Sequence, residues 1–158
     1  MAIALGSLVM SNCGLLGTAA GVGMIKLQFG CLAEGTLIDT PGGPVPVESL
    51  STGDRVIGYA GTPVVVRQLH QYQEDPSASQ HLIVRFENGG EVSLSPRHRI
   101  GGIPAGELEP GDSVAGHIVT GGRPLTGVSR SFDLLTDDDG YRIAGIPVNS
   151  MISEISGH

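Results

Sequence analysis

The chain has 158 residues, 25 of them glycine and 10 proline, no tryptophan, and a formal charge of -7. That length suits one domain with a real core and argues against two. The negative charge and the lack of any basic stretch exclude a nucleic-acid backbone as partner, since that binding needs clustered lysine and arginine. Dense glycine and proline punctuation predicts an all-β chain of many short strands joined by turns. With aromatics scarce, Val, Ile, Leu and Ala must build the core.

Residues 1–30 form an apolar, glycine-rich leader whose first 25 residues carry no charged side chain. Its length and polarity permit a membrane span, but glycines at 6, 14, 17, 21 and 23 and the Ser11-Asn12 pair interrupt the apolar run. It lacks a basic n-region and an A-x-A cleavage pattern, so it does not read as a secretory signal. The favoured reading is a segment that is buried or bound by a protein partner, with membrane contact left open. Cys13 and Cys31 can form at most one disulfide, too few for a disulfide scaffold, and their spacing is not that of a zinc site. They leave the compartment open.

Cys31 follows a glycine and opens a run that becomes a strand at Thr36-Leu37-Ile38. The stretch from Gly43 to Gly58 then aligns without gaps with the stretch from Gly101 to Gly116, seven of sixteen positions being identical. Both contain Leu-x-x-Gly-Asp-x-Val: glycine permits a tight turn, the aspartate caps neighbouring N–H groups, and valine starts a strand. Two repeats are too few for a solenoid and predict pseudo-symmetric halves of one domain. Val64 to Leu69 and His81 to Phe86 read as strands, the second joined through Asn88-Gly89-Gly90 to Glu91-Val92-Ser93-Leu94 as a hairpin. Gln71 to Gln80 reads as an exposed loop. Phe132 to Leu135 and Tyr141 to Ala144 read as a last hairpin around Thr136 to Gly140, with Ile146-Pro147-Val148 after it.

Several residue types remain that suit chemistry on the chain's own peptide bonds. A thiol at Cys31 can attack the carbonyl of Gly30 and convert the amide to a thioester, a shift that needs bond strain, protonation of the leaving amine and oxyanion stabilisation. His98 suits the proton transfer, being an imidazole that titrates near neutrality. The Ser95 hydroxyl lies three residues earlier, Asp133 suits a proton relay, and Asn149 can cut its own C-terminal bond by cyclising onto its carbonyl, ahead of Ser150. Asp54 and Asp112 read as turn caps, and Asp137 to Asp139 as a solvated turn that lacks the spacing of a calcium loop. His70, His81, His117 and His158 read as surface or edge groups. Cys31 and His98 alone are too few ligands for a resident metal, and no cofactor is expected.

Read together, these segments resemble the Hint (hedgehog/intein) superfamily, in its bacterial intein-like or mini-intein form. Cys31-Leu-Ala-Glu-Gly-Thr-Leu-Ile with Pro46 to Val56 resembles its opening block. Ser95-Pro-Arg-His98 resembles its T-x-x-H block, Ser131-Phe-Asp133-Leu its penultimate block, and Val148-Asn149-Ser150 its splice junction. The resemblance implies a flattened all-β horseshoe with pseudo-twofold duplicated halves, in agreement with the duplication read from the sequence. It divides the chain into the leader 1–30, an autoprocessing domain 31–149 and a tail 150–158, with the chain's own flanks as substrate. It implies a single-turnover, self-cleaving domain of bacterial or phage origin, cytoplasmic or part of a larger assembly. Catalytic roles would fall to Cys31, Ser95, His98, Asp133 and Asn149, flanked by Gly30 and Ser150.

The chain departs from the family pattern at Val148, where a histidine is usual, and in Asp137 to Tyr141, which also lacks an expected histidine. Cleavage at Gly30–Cys31 is therefore expected, with slow or absent scission at Asn149 and full splicing disfavoured. The alternative is an impaired Hint-type structural or assembly protein whose leader binds a partner; a hydrolase acting in trans ranks third.

Overall fold

The computed structural model describes residues 31–152. The leader 1–30, with Cys13 and Gly30, and residues 153–158, with His158, lie outside the described residues. Fourteen strands occur among the described residues: β1 (Leu32–Ala33), β2 (Leu37–Ile38), β3 (Val45–Pro46), β4 (Arg55–Ile57), β5 (Pro63–Gln73), β6 (His81–Phe86) and β7 (Glu91–Leu94), then β8 (Arg99–Ile100), β9 (Ile103–Pro104), β10 (Ser113–Val114), β11 (His117–Leu125), β12 (Arg130–Thr136), β13 (Gly140–Ile143) and β14 (Ile146–Asn149). The helical pieces among them are single 3-10 turns at Val47–Ser49 and Ala105–Glu107 and the helical residues 151–152. The all-β expectation holds.

The duplication is visible in the geometry. Each 3-10 turn follows an extended proline, Pro46 or Pro104. Each is succeeded by a Gly-Asp turn in which the glycine has φ +97° (Gly53) or +98° (Gly111), a conformation that costs a side-chain-bearing residue energy. The Asp54 carboxylate accepts from the Ser51 N–H at 2.8 Å and Asp112 accepts from Glu109 N–H at 2.9 Å. Both aspartates therefore cap their own turns, as the sequence predicts.

The strands form an eight-stranded sheet in the order β10-β11-β6-β7-β1-β12-β5-β4, a four-stranded sheet β13-β14-β8-β9, and the pair β2-β3. Their inner faces enclose an apolar core that includes Leu32, Leu94, Ile100, Phe132, Leu134, Tyr141 and Val148. The short β1 is central: Leu32 pairs with Leu94 of β7 on one side and Phe132 of β12 on the other. Strand side chains alternate between faces. Continuing these registers by one residue therefore sets His81, Ser95, Cys31, Asp133 and His70 in one row across five strands, with the Asp133–His70 pairing direct.

Three expectations change. Phe132 to Leu135 and Tyr141 to Ala144 do not pair: β12 joins β1 and β5, whereas β13 pairs with β14 through a turn at Ala144 and Gly145. The acidic segment between them is a corner tied elsewhere, since the Asp138 carboxylate accepts from the Tyr59 and Ala60 N–H groups at 3.1 and 3.2 Å, and Asp137 accepts from Val65 N–H at 3.1 Å. Hairpin closure loses to these long-range caps. Gln71 to Gln80 is only partly an exposed loop, because β5 runs to Gln73 and both Glu74 and Ser79 are buried. His81, expected at the surface, is buried, with neither ring nitrogen hydrogen-bonded among the described residues.

Candidate active site

The start of β1 fixes the N-terminal side of the site. The buried Cys31 donates its backbone N–H to Ser95 Oγ at 3.0 Å and accepts the Ser95 N–H on its carbonyl at 2.9 Å. The sulfur of Cys31 is held in a disulfide, so a thiol there has to be regenerated by reduction. Gly30 lies outside the described residues, and with it the carbonyl of the Gly30–Cys31 bond.

Ser95 and His98 share one tight turn, closed by the His98 N–H on the Ser95 carbonyl at 3.1 Å. The turn is pinned from the second repeat, Gly106 N–H donating to the Pro96 carbonyl at 2.9 Å and Ala105 N–H to the His98 carbonyl at 2.9 Å. Three-residue spacing thus sends the hydroxyl toward the N-terminal end of the domain and the imidazole toward its C-terminal end.

At that end, His98 Nε2 lies 2.7 Å from the carbonyl oxygen of Asn149. A carbonyl oxygen only accepts, so Nε2 carries the proton of the neutral ring and Nδ1 presents its lone pair. Nδ1 is buried and has no hydrogen-bond partner among the described residues. Burial pushes the His98 pKa down to about 4; the Asn149 bond works the other way, and the neighbouring His81 adds to the lowering. His98 is accordingly neutral at pH 7.

The Asn149 side chain is anchored by its amide oxygen, which accepts the Gly102 N–H at 2.8 Å. Gly101 and Gly102 both have positive φ, +57° and +87°, in the two-residue turn between β8 and β9, a combination that favours glycine at both positions. Gly140 lies opposite Asn149 in the β13–β14 ladder. A Cβ on Gly140 would fall 2.0 Å from the Val148 carbonyl oxygen and 3.0 Å from both the Asn149 Cα and the Ser150 nitrogen. The bare glycine is what lets the strand lie flat against the Asn149–Ser150 bond. Ser150 is buried, its N–H on the Asp139 carbonyl at 2.8 Å, and its hydroxyl has no partner among the described residues.

Asp133 joins the ends. Its Oδ1 accepts the Leu134 N–H at 2.8 Å and the Tyr141 hydroxyl at 2.7 Å, and its Oδ2 accepts the Met151 N–H at 2.9 Å, just past the junction. Burial pushes its pKa up to about 7, with these hydrogen bonds opposing the rise. The Tyr141 hydroxyl also stands 3.2 Å from His98 Nε2. Cys31, Ser95, His98, Asp133 and Asn149 are thus brought into one connected cluster, and Ser150 lies at its edge. Among the described residues no three His, Cys, Asp or Glu side chains converge as a metal-binding group.

Sequence reasoning missed four contributors. Tyr141 reads as an ordinary core aromatic, and only its hydroxyl could have suggested otherwise, since a buried tyrosine needs a polar partner. Gly102 and Gly140 are two glycines among 25 and carry no distinguishing signal. His81 opens a β-strand run, where nothing local announces that the imidazole points inward.

Residues 30–104 match a family model described as Hint domain. No curated protein matches the chain. Among solved structures, a DnaB intein from Synechocystis sp. PCC 6803 superposes with a TM-score of 0.65 at 15% identity, over 77% of this chain and 98% of that one. The MchDnaB-1 intein (TM-score 0.65, 20% identity, 75% and 98% of the two chains) is similar. So is a bacterial intein-like domain from Clostridium thermocellum (TM-score 0.62, 19% identity, 77% and 97%). Residues 30–104 thus match a Hint domain, and the described residues share the all-β fold of these intein and intein-like structures.

Proposed function

We propose that the chain processes itself in cis, through an N–S acyl shift at Gly30–Cys31 that yields a thioester and releases the leader. Autoprocessing in general is supported by the Hint domain and its intein-type fold. The observation that carries the reading is the placement of one neutral imidazole, with a free lone pair on Nδ1, on the turn whose Ser95 hydroxyl holds the Cys31 N–H. In the shift, sulfur bonds to the Gly30 carbonyl carbon and the bond to the Cys31 nitrogen breaks. Nδ1 of His98 takes the thiol proton and returns it to the leaving amine. The hydrogen bond from the Cys31 N–H to Ser95 Oγ fixes the nitrogen that must be protonated. An external thiol then exchanges with the thioester and frees the leader.

A second reading, scission after Asn149, is favoured by the 2.7 Å contact between His98 Nε2 and the Asn149 carbonyl. Here Asn149 Nδ2 bonds to its own carbonyl carbon, the bond to the Ser150 nitrogen breaks, and one proton passes from Nδ2 to that nitrogen. The Nε2–H lies where the oxyanion develops, the placement that lowers such barriers most. With this contact present, the valine at 148 is a weaker argument against C-terminal scission than it is in the sequence alone. The connectedness of the cluster also favours self-processing over an impaired structural role for the domain, in which the leader would bind a partner protein.

An intact-mass time course tests the proposal, on full chain reduced with a phosphine and incubated with and without added thiol. Wild type is expected to lose the leader in a thiol-dependent way, Asn149→Ala likewise, and Cys31→Ala and His98→Ala not. Thiol-dependent release that survives Cys31→Ala overturns it.

A further inference from the structure

Tyr141 is the one fully buried tyrosine of the domain, and its hydroxyl is the polar atom that joins His98 to Asp133. β13 delivers it there. The strand pairs Tyr141 with Val148 and Gly140 with Asn149, so the ring stands one residue from the C-terminal junction on the adjoining strand. The tyrosine and imidazole rings meet edge-on at 68°, which directs the hydroxyl toward the ring nitrogen instead of stacking the faces. The hydroxyl donates to Asp133 Oδ1 at 2.7 Å, so its oxygen lone pairs are what it offers to Nε2–H at 3.2 Å. The Nε2 proton therefore has two acceptors, the Asn149 carbonyl oxygen at 2.7 Å and the tyrosine oxygen behind it.

We propose that Tyr141 is a positioning residue for C-terminal scission: anchored on Asp133, it holds His98 in the orientation and tautomer that place the Nε2 proton on the Asn149 carbonyl. The same carboxylate accepts the Met151 N–H at 2.9 Å, so one rigid group fixes the imidazole through Tyr141 and the chain beyond the junction directly. Preorganisation of this kind matters because the proton must already be in place when the oxyanion forms. Tyr141 meets only the Nε2 side of the ring. Its loss should therefore bear more heavily on the junction at Asn149 than on the chemistry that uses Nδ1 at Cys31.

This inference rests on the reading that the chain is cut after Asn149. The test follows both cleavages by intact mass in wild-type and Tyr141→Phe full chain after reduction: thiol-independent loss of the tail, and thiol-dependent loss of the leader. Tyr141→Phe removes one oxygen atom from a packed ring, and its urea-unfolding midpoint reports whether the variant is folded. The expected result is tail release slowed by about tenfold or more, with leader release slowed distinctly less. Nitrogen-15 NMR of His98 is expected to show the Nε2–H tautomer in wild type and a mixture of tautomers in Tyr141→Phe. Equal tail release in the two proteins, or equal slowing of both cleavages, overturns the role of Tyr141 alone. Absence of tail release from wild type overturns the Asn149 reading, and this inference with it.

Discussion

His98 and Asn149 are joined by a 2.7 Å contact between an imidazole Nε2 and the backbone carbonyl whose bond to the Ser150 nitrogen would break in C-terminal scission. The same turn supplies Ser95 to the backbone N–H of Cys31. One four-residue segment therefore touches both ends of the domain, and substitutions in it should affect both. His98→Gln is expected to slow leader release and scission at Asn149 together, by roughly 10²–10⁴ where a general acid–base group is lost. Parallel rate measurements on the two fragments check this, and loss of only one reaction would show that His98 serves one junction.

Gly140 gives a prediction about space. Any side chain there meets the Val148 carbonyl at 2.0 Å, and backbone does not yield as a flexible side chain does. Gly140→Ala should cost about 3 kcal/mol or more of stability, at or beyond the upper end of ordinary overpacking, and should displace the Asn149–Ser150 bond from His98. Urea unfolding measures the first effect and the rate of tail release the second. Unchanged stability would mean that β13 lies further from the junction than the ladder places it.

His81 predicts a pH dependence of stability. Burial pushes its pKa down to about 4, below the ordinary value of about 6.5 for histidine. Between those values the unfolded chain binds a proton that the folded chain does not, so stability falls as pH drops from about 6.5 toward 4. His81→Leu removes that contribution. Relative to wild type, the variant should gain roughly 1–2 kcal/mol of stability between pH 7.5 and pH 5. Comparing the two proteins cancels the carboxylates Glu74 and Asp133, whose pKa values burial pushes up to about 7 and whose effect on stability has the opposite sign. A difference that stays constant across that range would place the imidazole in water.

On the proposed mechanism, the disulfide at Cys31 would make leader release depend on reduction. Sulfur in a disulfide is no nucleophile toward a carbonyl, because only the thiolate attacks. Oxidised chain is expected to be inert at Gly30–Cys31 and to become active after a phosphine and thiol are added. Scission at Asn149 needs no thiol and should proceed in both states. Mass analysis of the two states checks this, and equal leader release in the oxidised chain would contradict it.

Much of the domain was legible before its folding was known. The two Gly-Asp turns are written in local chemistry: a glycine that reaches positive φ and an aspartate that caps the turn it belongs to. The hairpin from His81 to Leu94 follows from period-two runs around Asn-Gly. Cys31, Ser95, His98, Asp133 and Asn149 could be picked out as residue types suited to self-cleavage, and the resemblance put them in order. Where local signals competed with distant ones, the reading failed. The segment from Phe132 to Ala144 looks like a hairpin, yet Asp137 accepts from the Val65 N–H in β5 and Asp138 from the Tyr59 N–H before it, 72 and 79 residues away in sequence.

What the sequence by itself determined, then, is the strand-rich fold, its duplication and the set of reactive side chains, because these depend on neighbours a few residues apart. Only the tertiary structure decided which of those side chains meet. That His98 turns its Nε2 to Asn149, that Tyr141 bridges it to Asp133, and that Gly140 clears the space for the junction all depend on β13 and β14 joining the sheet of β8. Strand pairing across long loops is set by burial of the whole core, which no local stretch encodes.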